Sequence, residues 1–388
     1  MTSPRQNHAA TAQTAADALD ALPQSGAGEA FIGFDGFIDS IIDVVDTRST
    51  MHTDDYKRIA TINDFAKRVA AAAGKSANME LIVREKRWGG NGPLLAGALA
   101  SLGMDVTFVG AVGSEQNHVK INPAYTSFAQ ACTRVLSIAV AGRTDAFEFD
   151  DGKIMFNHTA SIQAVTWRRL TNTLSPDNLV RILRPVRLIG LTNWSLMGSA
   201  GEIWQGLIDE VFPKLEPLRR ATRRIFIDLS DPAKRTDDDL KTALDQLKQL
   251  DAHAPLIFGM NLAESQRISM LLGCKAHSRD LENAATNLVE AIGIDCVVIH
   301  QRTEAAAATR SGIQASFNAP FTNSPKLLTG AGDHFNAGFA FAYSHDLSLD
   351  QCLATACAVG GSFVREAQTP SREALVAFLR DLPEPQQA

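Results

Sequence analysis

The chain has 388 residues, 45% of them hydrophobic, and a formal net charge of -6 at pH 7. Nucleic acids and anionic membranes are bound through dense Lys/Arg surfaces, so this charge argues against both as main partners and favours small-molecule ligands. The five cysteines form no Cys-x-x-Cys pair and no apolar run reaches the roughly 20 residues that span a bilayer, which together predict a reduced, cytoplasmic protein.

Residues 1–28 are rich in Ala, Thr and Gln, and we expect them to form a flexible N-terminal tail. From residue 29 to 388, apolar β-rich runs alternate with amphipathic helical segments. Runs that are apolar without alternation are typical of strands covered on both faces. The pattern therefore predicts an α/β fold, a three-layer sandwich with a mainly parallel central sheet, whose strands include 30–34, 106–109, 186–191, 224–229, 256–260 and 296–300.

Two segments, near 78–88 and 138–165, have mixed polarity instead. In the second, Phe147 and Phe149 alternate with acids, and the Asp151-Gly152 pair predicts a turn. This pattern is typical of a β-hairpin. We therefore expect a small β lid over a site at the carboxyl edge of the sheet.

The segment Thr329-Gly330-Ala331-Gly332-Asp333 precedes an apolar helical run. Small residues at a helix start allow a tight turn and leave backbone N–H groups pointing outward, which makes an anion site without any lysine. A phosphate on those amides would lie within reach of the Asp333 carboxylate. The segment is therefore able to serve phosphoryl transfer to a hydroxyl. The alternative is an ordinary helix N-terminus, at which Asp333 satisfies free N–H groups.

Two further segments offer polar groups to a second ligand. Asp35 and Asp39 follow the first predicted strand, where carboxylates can accept hydrogen bonds from hydroxyl groups. Gly89, Gly90 and Asn91 precede a helix of small residues and offer backbone N–H groups and one side-chain amide. These five residues are candidates for binding a ligand through hydrogen bonds.

Asn261 and Glu264 follow the strand predicted at 256–260, where they are able to organise Mg²⁺ through water. The sequence contains neither Gly-x-x-x-x-Gly-Lys-Ser/Thr nor Gly-x-Gly-x-x-Gly, which excludes a Walker loop and a dinucleotide-binding fingerprint. Any nucleotide must therefore be held by other groups.

In this order, these segments resemble the ribokinase-like carbohydrate kinases of the phosphofructokinase-B (PfkB) family over about residues 29–380. The resemblance rests on 33–39, 89–91, 106–113, Asn261 with Glu264, and the stretch TGAGDHFNAGF at 329–339. It implies a ribokinase-like three-layer fold with a β lid. The implied activity is transfer of the terminal phosphoryl group of a nucleotide to a hydroxyl of a sugar or sugar-like molecule.

The resemblance also implies a role for each site residue. Asp333 would be the catalytic base, and Gly330, Ala331 and Gly332 the anion hole. The acceptor would be bound by Asp35, Asp39, Gly89, Gly90 and Asn91. The nucleotide would be bound by Asn261, Thr329 and Thr355, with Glu264 holding Mg²⁺ through water.

The sequence departs from the family pattern in two places. Leu327 and Leu328 stand where the family usually has an acid and a polar residue before Thr329. The family's Thr-x-Gly-x-x-Gly nucleotide loop would fall at 300–305, where both glycines are missing. The resemblance implies ATP as the phosphoryl donor. Because bulkier residues in this loop would crowd a nucleotide, ADP or another nucleotide is left open as the donor.

Two alternatives stay open on the sequence. A nucleoside kinase of the same family would need an aromatic pocket beside Asp39, for which Trp88 is a candidate. A non-catalytic sugar or nucleotide sensor would keep the fold, and the altered loop favours it, whereas Asp333 disfavours it. The sequence also leaves open which sugar is the acceptor, any dependence on a monovalent cation, and the oligomeric state, for which the resemblance implies a homodimer through the lid.

Overall fold

A nine-stranded, mainly parallel sheet lies at the centre of the fold. The computed structural model describes residues 4–23, 25–215, 222–274 and 280–387. In chain order, the strands within these ranges are β1 (Glu29–Phe34), β2 (Phe37–Arg48), β3 (Tyr56–Arg58), β4 (Leu81–Gly89), β5 (Asp105–Gly110), β6 (Arg134–Ser137), β7 (Gly142–Phe149), β8 (Gly152–His158), β9 (Leu188–Thr192), β10 (Arg224–Asp228), β11 (Leu256–Asn261), β12 (Cys296–His300), β13 (Glu304–Thr309) and β14 (Gln314–Asn318). Among these residues, the nine strands of the large sheet run in the order β14-β13-β12-β11-β10-β9-β1-β5-β6.

Helices cover both faces of this sheet. In chain order they are α1 (Pro4–Asp20), α2 (Ile62–Ala70), α3 (Asn91–Ser101), α4 (Thr126–Ala131), α5 (Trp167–Thr173), α6 (Pro176–Leu183), α7 (Ala200–Gly206), α8 (Asp237–His253), α9 (Leu262–Leu272), α10 (Leu281–Ile292), α11 (Ala331–Ser344), α12 (Leu349–Glu366) and α13 (Arg372–Arg380). One hydrophobic core lies under α5 to α10, and a second under α1, α3, α4 and α11 to α13. None of the described helices is long and apolar enough to cross a membrane.

The strands of the sheet are apolar because both of their faces are covered. Every residue of β9 is buried, as are five of the six residues of β1. Pairing is parallel from β6 through β12, and β13 and β14 add antiparallel strands at one edge. The predicted three-layer α/β fold with a mainly parallel sheet is confirmed. The carboxyl ends of β1, β9, β10, β11 and β12 therefore meet at one edge.

A second, smaller sheet forms the predicted lid. Its strands run in the order β3-β2-β7-β8, and β4 pairs with β2. The segments predicted near 78–88 and 138–165 contain β4, β7 and β8, but the sequence analysis did not identify β2, the strand at the centre of the lid. In β2, Asp39, Asp43 and Asp46 recur at intervals of three or four residues, a spacing that imitates an amphipathic helix.

The lid has a hydrophobic core of its own. Phe65 of α2 packs on Phe147 and Phe149 of β7, with ring centroids 5.9 and 5.5 Å apart. Ile42 and Val44 of β2 belong to the same cluster. Since α2 covers this face of the lid sheet, the opposite face is left for polar side chains.

The prediction of a loose tail over residues 1–28 is wrong for residues 4–20, which form α1 and pack on α12 and α13. The buried side of α1 consists of Ala12, Ala15, Ala16 and Leu19. Alanine favours helix formation and lets two helices approach closely, so this spacing makes a packing face despite its low hydrophobicity. Met1 to Ser3 of the predicted tail lie outside the described residues.

Candidate active site

A buried carboxylate organises the acceptor side of the site. Asp35 has no exposed surface and accepts four hydrogen bonds. Two come from the backbone N–H groups of Asn91 and Gly92, at 2.9 and 2.7 Å, and two from the side chains of Thr192 and Asn193, at 3.2 and 2.7 Å. Asp35 therefore ties the end of β1 to the start of α3 and the end of β9. Because these donors occupy its lone pairs, Asp35 holds the three segments in position. The sequence analysis expected it to contact the substrate instead.

Gly89 and Gly90 let the carboxylates come close. A Cβ on Gly89 would lie 2.1 Å from Asp39 Oδ2, and one on Gly90 would lie 3.0 Å from Asp35 Oδ2. Gly90 also has a φ of 99°, which side chains rarely adopt. The absence of a side chain at Gly89 and Gly90 therefore leaves room for the carboxylates of Asp39 and Asp35.

Asp39 lies in the middle of the lid sheet, with Arg87 of β4 and Thr144 of β7 as its direct cross-strand partners. The Thr144 hydroxyl donates to Asn157 Oδ1 at 3.2 Å. Burial raises the pKa of Asp39, and Thr144, Arg87 and Lys153 oppose that shift. Asp39 therefore lies on the polar face of the lid.

Asn91 links the acceptor side to the predicted base. Its side-chain amide donates to Asp333 Oδ1 at 2.8 Å. Burial and then the negative charge of Asp228 raise the pKa of Asp333 well above its usual range, while the Asn91 hydrogen bond and Lys153 act in the opposite sense. The structure thus brings Asp333, the predicted base, beside Asn91, which the sequence analysis assigned to the acceptor.

The first turn of α11 provides unpaired backbone donors. Gly330 caps this helix with a φ of 91°. Among the described residues, the N–H groups of Gly332 and Asp333 have no backbone acceptor, whereas that of Ala331 donates to Leu328 O at 3.2 Å. The free backbone donors of this turn are therefore those of Gly332 and Asp333, and the N–H of Ala331 is engaged in closing the turn.

Lys153 is a site residue that the sequence analysis missed. It lies at the start of β8, and its Nζ donates to Thr329 Oγ1 at 2.7 Å, so it joins the lid to the segment before the anion site. Burial lowers the pKa of Lys153, whereas the charges of Glu148, Asp333 and Asp39 raise it. The signal available in the sequence was a lysine directly after the Asp151-Gly152 turn of the predicted lid.

Arg87 is the second residue that the sequence analysis missed. It stands opposite Asp39 on β4, and its Nη2 is buried without a hydrogen-bond partner among the described residues. A buried donor without an acceptor is unfavourable unless a ligand or water completes it. Arg87 therefore offers a donor to whatever binds beside Asp39.

Acidic side chains gather at the ends of β10 and β11. Asn261 and Glu264 form a reciprocal capping box at the start of α9, with bonds of 3.0 and 2.8 Å. Burial and then the charge of Asp228 raise the pKa of Glu264, and burial also raises that of Asp228. Among the residues that the structure describes, no three His, Cys, Asp or Glu side chains are arranged to bind a metal directly.

A cleft of about 550 Å³ opens on the other side of the anion site. Its lining includes Asn261, His300, Arg302, Ala331, Gly332, Lys153, Phe321, Leu328 and Val364. Thr329 lies beside it through its bond with Lys153. The α12 residues that line the cleft are Cys357, Gly360, Gly361 and Val364.

Thr355 does not belong to this cleft, so the expectation that it binds nucleotide is corrected. It has no exposed surface, and its hydroxyl donates to Gln351 O at 2.8 Å. Its carbonyl oxygen lies 3.1 Å from a Cβ built on Gly338, which places it in the contact between α11 and α12. Other residues of α12 line the cleft, and Thr355 lies on the side of the helix that packs on α11.

Trp88 does not provide an aromatic pocket beside Asp39. Its ring centroid is 5.3 Å from that of Phe128, and the ring lies 3.0 Å from a Cβ built on Gly97 of α3. Trp88 neighbours Arg87 in β4, so its side chain points to the opposite face of the lid. The feature that favoured a nucleoside kinase is therefore a packing contact.

Comparisons with known proteins agree with this geometry. The family model for prokaryotic ketohexokinase matches residues 7–382. The chain belongs to the prokaryotic ketohexokinase family. It is 29% identical over 327 residues to a ketohexokinase of Haloferax volcanii, which covers 84% of both chains. The protein is accordingly a carbohydrate kinase, a phosphotransferase with an alcohol group as acceptor.

Solved structures agree with the fold of this ketohexokinase family member. A probable sugar kinase from Rhizobium etli superposes with a TM-score of 0.62 at 16% identity, covering 91% of this chain and 98% of its own. A ribokinase of Arabidopsis thaliana, solved with ribose and ATP, gives 0.57 at 16% identity over 91% and 98% of the two chains. The ribokinase-like fold and the PfkB resemblance are confirmed.

The different roles of the two acceptor-side carboxylates are testable. Asp35→Asn should lower the free energy of unfolding by about 1–3 kcal/mol, because an amide N–H would face donors that now bond to the carboxylate. The matched variant Asp39→Asn should lose less stability and instead raise the sugar KM. Urea denaturation of both variants and steady-state kinetics check this. Equal losses of stability in the two variants would contradict the assignment.

Proposed function

We propose that this protein transfers the terminal phosphoryl group of ATP to a hydroxyl of a ketohexose, with Asp333 as the general base. The observation that best supports this proposal is the position of Asp333. Its carboxylate bonds to Asn91 on the acceptor side, while its own N–H belongs to the anion site. A hydroxyl and a phosphoryl group placed on these two sides would meet at this carboxylate.

The ketohexose is chosen from the family and from the name of the Haloferax volcanii relative. Polar groups suited to a polyhydroxy acceptor support it: the Asp39 carboxylate, the Asn91 amide and the unpaired Nη2 of Arg87. Carboxylates accept hydrogen bonds from hydroxyls, and a guanidinium donates to hydroxyl or carbonyl oxygens. Asp39, Asn91 and Arg87 would therefore orient the sugar.

Mg²⁺ is the proposed cofactor, and the acidic cluster fits it. Burial raises the pKa values of Asp228, Glu264 and Asp333, and the charge of Asp228 raises those of Glu264 and Asp333 further, which is the arrangement that a bound cation relieves. Asp228 and Glu264 would hold the ion through water, since Mg²⁺ keeps much of its hydration shell. Mg²⁺ would neutralise phosphate charge, and its field would lower the pKa of Asp333 toward the ionised form.

Lys153 would stabilise the charge on the transferring phosphoryl group. Phosphoryl transfer spreads negative charge over oxygens that gain from fixed donors and cations. Lys153 lies between the cleft and the acceptor side, and it belongs to the lid. Closure of the lid would therefore bring this charge to the reacting group.

We also propose a cytoplasmic location and a homodimer through the lid. The five cysteines are free, which suits a reducing compartment. Leu81 and Val83 of β4 are 43% and 47% exposed, and β4 forms an edge of the lid sheet. Exposed apolar side chains along an unpaired strand edge are a suitable surface for a second copy.

The function is tested with a coupled assay that crosses ketohexoses, aldohexoses, sugar phosphates and nucleosides with ATP, GTP and ADP, with and without Mg²⁺. We expect turnover of a ketohexose with Mg²⁺ and ATP. Asp333→Asn should lower kcat by roughly 10²–10⁴-fold and leave the sugar KM nearly unchanged, because the base acts mainly in the transition state. Parental turnover by Asp333→Asn would exclude it as the base, and binding without turnover of any acceptor would favour a sensor.

The role of Lys153 is tested against a lysine on the other face of the lid. Lys153→Met keeps the length of the side chain, removes its charge and should lower kcat/KM by about 10²-fold, as expected for one lost donor to developing charge. Lys86→Met is the matched control, because Lys86 is exposed on β4 opposite Ser40. Similar kcat/KM values in the two variants would show that Lys153 is dispensable.

The dimer is tested by substitution at the lid edge. We expect the parent protein to sediment as a dimer and Val83→Asp to sediment as a monomer. A charge at the centre of an apolar contact is strongly unfavourable. Met270→Asp on α9, also exposed and far from the lid, is the control. Sedimentation velocity measures both variants. A monomeric parent, or a dimeric Val83→Asp, would contradict a lid interface.

A further inference from the structure

Asn336 is a buried amide in the apolar part of α11, where it is 3% exposed. It follows Asp333 by three residues, and residues with this spacing lie on the same face of a helix. Its Nδ2 donates to Asp228 Oδ2 at 2.8 Å. Asn336 therefore connects the helix that carries the proposed base to the carboxylate at the end of β10.

Two other buried polar side chains of α11 reach a carbonyl of their own helix or of its cap. His334 Nδ1 bonds to Gly330 O at 2.7 Å. The Ser344 hydroxyl donates to Phe341 O at 2.8 Å. Such bonds satisfy a polar group locally, whereas Asn336 bonds to a charged group of the central sheet. The Asn336 bond is therefore a specific link to Asp228.

The other polar atom of the Asn336 amide, Oδ1, is buried without a hydrogen-bond partner among the described residues. A Cβ built on Gly259, which pairs in register with Asp228, would lie 3.0 Å from this oxygen. A buried acceptor without a donor is unfavourable, and an apolar side chain of similar size would avoid that cost. The benefit of an amide at this position therefore lies in the N–H that it donates to Asp228.

Asp228 accepts one hydrogen bond on each carboxylate oxygen. Oδ2 accepts from Asn336, and Oδ1 accepts from the Ser230 N–H at 2.6 Å. These two donors fix the plane of the carboxylate and leave lone pairs on both oxygens for a further partner. Burial and then the charge of Asp228 raise the pKa values of Glu264 and Asp333, because the carboxylate lies near both groups. Its orientation therefore determines where these lone pairs are directed within the acidic cluster.

We propose that Asn336 is a positioning residue for phosphoryl transfer, which orients the Asp228 carboxylate toward the hydrated Mg²⁺ that Asp228 and Glu264 would hold. This inference rests on the proposed function, because it requires Mg²⁺ to bind with the donor nucleotide. In this role Asn336 contacts neither the ion nor the substrate, and it acts only through its bond to Asp228. Groups that orient a metal-holding carboxylate typically contribute roughly tenfold to a hundredfold to metal affinity.

The test measures ATP binding by calorimetry without sugar, once with Mg²⁺ and once with EDTA. Asn336→Leu keeps the approximate size of the side chain and removes the donor. It should weaken ATP binding in Mg²⁺ by roughly tenfold or more and leave the affinity in EDTA within about twofold of the parent, because Asn336 does not line the cleft. Asn336→Ala removes the donor without adding bulk and should show the same selective loss. Ser344→Ala, which removes a buried hydroxyl from the same helix, is the control and should match the parent in both media.

Three outcomes would overturn the inference. One is a parental gain in ATP affinity from Mg²⁺ in either Asn336 variant. Another is equal weakening in Mg²⁺ and in EDTA with a lower thermal midpoint, since that result assigns Asn336 to the packing of α11 on β10. The third is failure of both variants to fold, which assigns it to stability alone. If the parent phosphorylates a sugar in any of these cases, the proposed function stands and only the role of Asn336 falls. A parent that phosphorylates no acceptor would overturn both.

Discussion

The site depends on one buried carboxylate. Asp35 sits at the end of β1 and accepts hydrogen bonds from the first amides of α3 and from two side chains at the end of β9. A charge in this position is tolerated because four donors surround it, and removing any of them would leave it incompletely solvated. The direction of α3, and with it the position of the Asn91 amide, follows from this arrangement. The glycines around it are there to let the backbone approach.

One face of the lid sheet packs against a helix, and the other face carries charged side chains. Its outer face packs α2 on Phe147 and Phe149, which gives the small sheet a hydrophobic core of its own. Its inner face carries Asp39, Arg87 and Lys153, charges that the large sheet could not hold between two helical layers. A sheet with its own core can change position as a unit. Such motion would carry both acceptor-binding and phosphate-binding groups together.

Much of the central fold could be predicted from the sequence because β1, β9 and β12 are covered on both faces and read as continuous apolar runs. The positions of Asp333 and Asn91 at the starts of α11 and α3 were predictable for another reason, since small residues that precede an apolar helical run indicate a tight turn into a helix. Arg87 and Lys153 could not be predicted as site residues, because a charged residue on a half-exposed strand is usually solvated. Only the pairing of the lid strands shows that both lie on the same face as Asp39. The prediction for Thr355 was wrong because the position of a residue in a motif does not determine which side of a helix its side chain occupies.

The N-terminal helix has a consequence for synthesis. Its alanine face is covered by α12 and α13, and Arg380 bonds to Asp20 across 360 positions of sequence. During translation, α1 therefore leaves the ribosome long before its docking surface exists. It must wait as an isolated helix or associate with something else, since contacts of such long sequence separation form late. Helices α12 and α13, which are made later than α1, would thus hold it in place.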